Sequence, residues 1–157
     1  MSIRFMPIPT AIATALRDGP DANGQRPQTA GPSTASGTPC RHCLRQVPAG
    51  QPYLILAHRP FDGLNPYTET GPIFLCAEDC APGGGASLPR EILQAASYIT
   101  RAYSADERII YGTGAVTETN RIADRCVELL ADPLVAFVHI RSTANNCFLC
   151  RVERANL

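Results

Sequence analysis

Neither sign of charge is in excess in this chain: 14 Lys and Arg stand against 14 Asp and Glu. That balance excludes the broad electrostatic footprint of a non-specific nucleic-acid binder or an anionic-membrane binder. No stretch reaches the ~18 consecutive apolar residues that a membrane-spanning helix needs. The first 19 residues are broken by Pro7, Pro9 and Arg17 and do not read as a secretory signal. Residues 83–85 are all glycine but lack the Lys-Ser/Thr of a phosphate-binding loop, and neither a Gly-x-Ser-x-Gly elbow nor a His-Glu-x-x-His pair is present. The haem-attachment pattern also fails, because Leu44 and not histidine follows Cys43. No internal repeat is visible.

What the chain does have is cysteine. Seven cysteines occur in 157 residues, and without an export signal they place the protein in a reducing compartment, the cytoplasm, where clustered thiols serve as metal ligands, catalytic groups or core residues. The length, with 45% hydrophobic and 18% charged residues, suffices for one domain whose core closes unaided. The cysteines are therefore free to carry chemistry.

Two pairs have ligand spacing. Cys40-Arg41-His42-Cys43 is a Cys-x-x-Cys knuckle beside turn-forming residues, and Cys76 and Cys80 flank a three-residue spacer. A two-residue spacer brings both sulfurs to one side of a turn, as tetrahedral zinc sites require. Cys147 and Cys150 form a second Cys-x-x-Cys, but in a regular strand residues three apart face opposite ways, so only one of them can replace a ligand such as Cys80. The expected set is Cys40, Cys43, Cys76 and Cys80 around one structural zinc ion. A thiol–disulfide pair at Cys40 and Cys43 is the alternative. It would need a helix after the first thiol, and Pro48 comes too soon. Cys126 falls on an apolar helix face and is expected to be buried.

The chain divides into an N-terminal strand and helix (residues 1–18), a flexible linker or loop (residues 19–38) with no large apolar residue to offset its ordering entropy, and a main domain (residues 39–157). Alternation and turn residues predict strands near residues 2–7, 53–58, 72–76, 97–103, 109–116, 134–141 and 147–154. Residues 104–107 turn the fourth of these into the fifth as a hairpin. Helices are expected at 10–17, started by Pro9 and stopped at Gly19, at 88–96, and at 117–131 with Thr117 as N-cap and Ile122, Cys126, Leu129 and Leu130 on one face. This order predicts an α+β fold, a single domain with a largely antiparallel sheet and two or three helices.

Pro39-Cys40-Arg41, Gly71-Pro72-Ile73-Phe74-Leu75, Arg101-Ala102-Tyr103, Phe137-Val138-His139-Ile140-Arg141 and Cys147-Phe148-Leu149-Cys150-Arg151-Val152, in that order, resemble the bacterial family known as domain of unknown function 1203. The resemblance covers about residues 39–154 and implies a bacterial α+β domain, with no reaction attached. A second candidate site rests on the residues alone. His139 and Arg141 share a sheet face by the two-residue period, and Arg101, Tyr103, Tyr67 and Glu69 can join them in a polar cleft for a small anionic ligand. His42 is read as a bystander or substitute ligand, and His58 as a strand-end residue.

Overall fold

The structure, a computed structural model, describes residues 1–156. Eight strands and two helices follow one another as β1 (Ile3–Met6), α1 (Thr10–Asp18), β2 (Gln28–Ala30), β3 (Tyr53–His58), β4 (Gly71–Cys76), β5 (Ser97–Tyr103), β6 (Ala115–Glu118), α2 (Ile122–Leu130), β7 (Phe137–Ser142) and β8 (Phe148–Arg154). They form two sheets, five strands in the order β1-β8-β7-β5-β6 and three in the order β2-β3-β4, with every strand pairing antiparallel. The fold is α+β and mostly sheet, as expected.

Period-two patterning explains the large sheet. Tyr98 and Ala102 of β5, Val138 and Ile140 of β7, and Cys150 and Val152 of β8 face the same way and pack with Ile122, Cys126, Leu129 and Leu130 of α2. The stripe read from the sequence is the buried face of that helix, and each fully buried aliphatic side chain there contributes about 1.5–3 kcal/mol. β7 is buried on both faces because its opposite side, Phe137, His139 and Arg141, is covered as well. Phe61, from the loop after β3, packs there against Tyr103 and Phe137. The smaller core lies between α1 and the three-stranded sheet, where Ile8, Ala13, Leu54, Leu56, Ile73 and Leu75 surround Cys40, Cys43 and Cys76.

Four local expectations are corrected. Residues 88–96 form successive turns and not a helix. Ile92 and Leu93 are pulled into the large core, and the Ala95 amide donates to the Tyr98 hydroxyl at 2.9 Å, so tertiary contacts override propensity. The strand expected at 109–116 shrinks to an isolated Tyr103–Ile109 bridge, and pairing with β5 resumes only at Ala115. Thr117 lies in β6, hydrogen-bonded to Thr100 at 2.8 Å, while a 3-10 turn, Thr119–Arg121, leads into α2. β8 is not a regular strand: the register shifts so that Cys150 opposes Ile140 while Phe148 opposes Arg141, leaving Leu149 as the extra residue of a bulge.

Residues 19–38 take a largely irregular path that is tied down by polar groups. β2 pairs with β3, Asp21 accepts from the Ala57 amide at 2.9 Å, and the Ser33 hydroxyl donates to the Val47 carbonyl at 2.8 Å. Hydrogen bonds do here what apolar burial does elsewhere. β1 joins the edge of the large sheet by pairing with β8, so the first strand shares the core of the last.

Candidate metal centre

The knuckle is a tight hairpin. Cys40 N–H donates to the Arg45 carbonyl and Val47 N–H to the Thr38 carbonyl, both at 2.9 Å, and Leu44 N–H reaches the Cys40 carbonyl at 3.0 Å. Leu44 turns the chain back with φ of 54°, a left-handed conformation that its burial in the large core holds in place. The Arg41 amide donates to the Phe74 carbonyl at 3.2 Å, which docks the hairpin along β4. Two residues later β4 ends at Cys76, and the chain curls back through Cys80.

The four sulfurs of Cys40, Cys43, Cys76 and Cys80 lie within 4.8 Å of one another. Cys40 and Cys80 are 3.9 Å apart and Cys43 and Cys76 4.0 Å, far too long for a disulfide. A tetrahedron with Zn–S bonds of about 2.3 Å has edges of about 3.8 Å, so these separations fit a four-sulfur cage. All seven cysteines are free thiols.

The surrounding charge suits thiolates. Arg17, from α1, donates to Cys80 Sγ at 3.2 Å and to the Cys76 carbonyl at 2.9 Å. His42 is fully buried, with Nδ1 3.1 Å from Cys80 Sγ and Nε2 2.9 Å from the Thr10 hydroxyl. An imidazole that carries its proton on Nδ1 can donate to the sulfur while Nε2 accepts from the Thr10 hydroxyl. The Cys76 amide donates to Cys40 Sγ at 3.3 Å. Cys40 is driven far below the ordinary thiol range by hydrogen bonds from Cys43 and Cys76. Cys43 is pushed up to about 12 by its hydrogen bond to that thiolate, and Cys76 rises for the same reason. Burial raises Cys80. Cys40 is therefore the sulfur of the four that loses its proton most readily.

Gly83 closes the site from outside. Its N–H donates to the His42 carbonyl at 2.9 Å, and a Cβ there would stand 1.9 Å from the Cys43 carbonyl oxygen. Two residues on, Gly85 exchanges backbone hydrogen bonds of 2.8 and 3.0 Å with Phe5 of β1. The glycine run is a strap from the knuckle to the large sheet.

The remaining sequence candidates fall elsewhere. Cys126 is buried under the large sheet as expected, Cys150 lies in the same core, and Cys147 is half-buried before β8; neither of the last two approaches the cluster. No helix follows Cys40, so the knuckle lacks the dipole that lowers the first thiol of a redox pair.

Arg101, Tyr103, His139 and Arg141 do come together, on the face of the large sheet away from α2. Arg101 donates to the Tyr103 hydroxyl at 2.9 Å and to Glu69 at 3.2 Å. Arg141 also pairs with Glu69 and donates to Asn146 at 2.8 Å. His139 is ringed by Phe61, Tyr103, Phe137 and Phe148 with centroids 4.8–5.2 Å away. Its pKa is lowered well below the usual value by burial and then by Arg141, Arg151 and Arg101. His58 is pushed down to about 4, chiefly by burial. Tyr67 does not join them; its hydroxyl meets Tyr111 at 3.0 Å in an exposed position.

Sequence reasoning missed Arg17 and His42 as partners of Cys80, Thr10 as the residue that holds His42, and Asn146 as a partner of Arg141. Nothing in the local pattern marks Arg17, which lies 63 residues from Cys80.

The family described as Protein of unknown function (DUF1203) matches residues 37–154. The chain belongs to this family. The match begins just before the DUF1203 knuckle and ends at the last residue of β8, so it contains all four clustered cysteines and the whole His139–Arg141 face. No curated protein and no solved structure matches the chain. Among the described residues, no helix is long and apolar enough to cross a membrane.

Proposed function

We propose that this DUF1203 protein is stabilised by one structural zinc ion held by Cys40, Cys43, Cys76 and Cys80. The observation that carries the reading is the mutual approach of four sulfurs within 4.8 Å, drawn from two separate segments. Four protein sulfurs close the coordination sphere, leaving no open position for substrate, so the metal is scaffold and not catalyst. Four thiolates around Zn²⁺ leave two negative charges, and Arg17 offsets one of them. The ion joins the knuckle to the end of β4, and the glycine strap carries that anchorage to β1. Free thiols kept for a metal suit a reducing compartment, and we assign the protein to the cytoplasm of a bacterium.

Metal analysis of protein purified without chelator should find about one zinc per chain, released when the thiols are modified. Metal-free protein with four freely alkylated thiols and unchanged stability would overturn the reading. So would iron in place of zinc, since an iron–sulfur centre carries electrons.

A further inference from the structure

Among the described residues, three buried side-chain nitrogens lack a hydrogen-bond partner, and all belong to one face of β7: His139 Nδ1, His139 Nε2 and Arg141 Nη1. A buried polar atom left unpaired is destabilising, so several gathered in one place point to a further group that engages them. Both side chains border a cavity. Arg141 lines one of about 270 Å³, with Glu69 and Asn146. His139 lines one of about 370 Å³, walled by Met6, Ile8 and Ile12. His58, Pro60 and Phe148 line both, so these are adjoining parts of one cleft between the two sheets, the second also edged by Arg59, Asp62, Arg151 and Glu153.

We propose that this cleft binds a small hydroxylated aromatic monocarboxylic acid, its carboxylate on Arg141 and its hydroxyl on His139. Charge sets the first half of that assignment. Arg101 and Arg141 share the single carboxylate of Glu69, and Arg59 and Arg151 are matched in number by Asp62 and Glu153, which leaves one positive charge for one negative group. Arg141 already uses Nη2 on Glu69 and Nε on Asn146, so Nη1 is the remaining donor. The second half follows from the imidazole. It is fully buried and ringed by aromatic side chains, and a neutral imidazole offers one donor and one acceptor, the complement of a hydroxyl and not of a second carboxylate. Phe148, Pro60 and His58 supply flat apolar walls between Arg141 and His139.

None of these residues belongs to the cysteine cluster, so this site and the metal centre can fail separately. Calorimetric titration of the full-length, metal-loaded protein with 4-hydroxybenzoate, benzoate, phenol and inorganic phosphate tests the proposal. 4-Hydroxybenzoate should bind saturably at one per chain, benzoate more weakly, phenol at least about tenfold more weakly for want of the charge-assisted bond, and phosphate not at all. Arg141→Gln should weaken 4-hydroxybenzoate at least about tenfold, and His139→Phe should erase its advantage over benzoate. Should Arg141→Gln fail to fold, Asn146→Asp, at an exposed position, sets a second carboxylate beside Arg141 and should weaken both acids. Absence of saturable binding by either benzoate, binding of phosphate in preference, or equal affinity in the variants would overturn the assignment.

Discussion

The cysteine cluster and the inter-sheet cleft are both polar groups placed in the interior, and they are finished differently. Around the cluster the groups answer one another: all four sulfurs sit within 4.8 Å of one another, and Arg17, His42 and the Cys76 amide supply donors. In the cleft, Glu69 satisfies part of Arg101 and Arg141, but three nitrogens remain without a partner. A closed arrangement of this kind stabilises a fold once it is filled, whereas an open one lowers stability in exchange for binding. Removing the unpaired imidazole from the cleft should therefore have the opposite sign to breaking the cluster.

The largest effect is expected from Cys76→Ser. It should weaken metal binding severely and lower stability by on the order of 5 kcal/mol, less than the ~10–16 kcal/mol of an isolated zinc-finger peptide because the large core is independent of the ion. Urea unfolding with and without zinc measures this, and a serine variant as stable as the parent would remove the contrast between the regions. Gly83→Ala comes next. Its Cβ would stand 1.9 Å from a backbone oxygen, so the strap must move away from the knuckle, at a cost of about 1–3 kcal/mol in the same assay. Arg17→Met should cost about 1.5–3 kcal/mol and weaken zinc about 10–100-fold in chelator competition, because it removes a charge-assisted donor to a ligand sulfur.

The smallest effect has the opposite sign. His139→Phe extends an aromatic cluster and removes two unpartnered nitrogens, so stability should rise by about 1 kcal/mol. The same variant bears on pH. His139 has a folded pKa below its unfolded value of about 6.5, so the unfolded chain takes up the proton first. The stabilising contribution is present in full above about pH 6.5 and is lost as pH falls below it. His139→Phe should flatten the decline in stability between about pH 6.5 and 5, measured by urea midpoints at each pH. An unchanged slope would mean that His139 is not held neutral by the fold.

The contrast also explains what the sequence disclosed. Cys40, Cys43, Cys76 and Cys80 were legible because ligand spacing is local, and strand ends place such pairs predictably. The strands β1, β3, β4, β5 and β7 were legible from alternation, apolar runs and bounding turn residues, and the buried stripe of α2 from its helical period. The turns at 88–96 and the bulge at Leu149 were not, since they answer to the large core and to pairing partners distant in sequence. The order within residues 19–38 escaped because it rests on backbone pairing and short polar side chains such as Asp21 and Ser33, which leave no apolar pattern. Arg17 and His42 became partners of Cys80 only through the packing of α1 against the knuckle. His139 and Arg141 could be placed on one face by counting in twos, but that three of their nitrogens stay unpaired is a property of the assembled cleft.

The claim that the cluster is a closed zinc scaffold is tested most directly by X-ray absorption at the zinc edge of the purified protein. A single shell of four sulfur neighbours at about 2.3 Å is expected, changing to three sulfurs and one lighter atom in Cys80→Ser. A shell containing nitrogen or oxygen in the unaltered protein would contradict it.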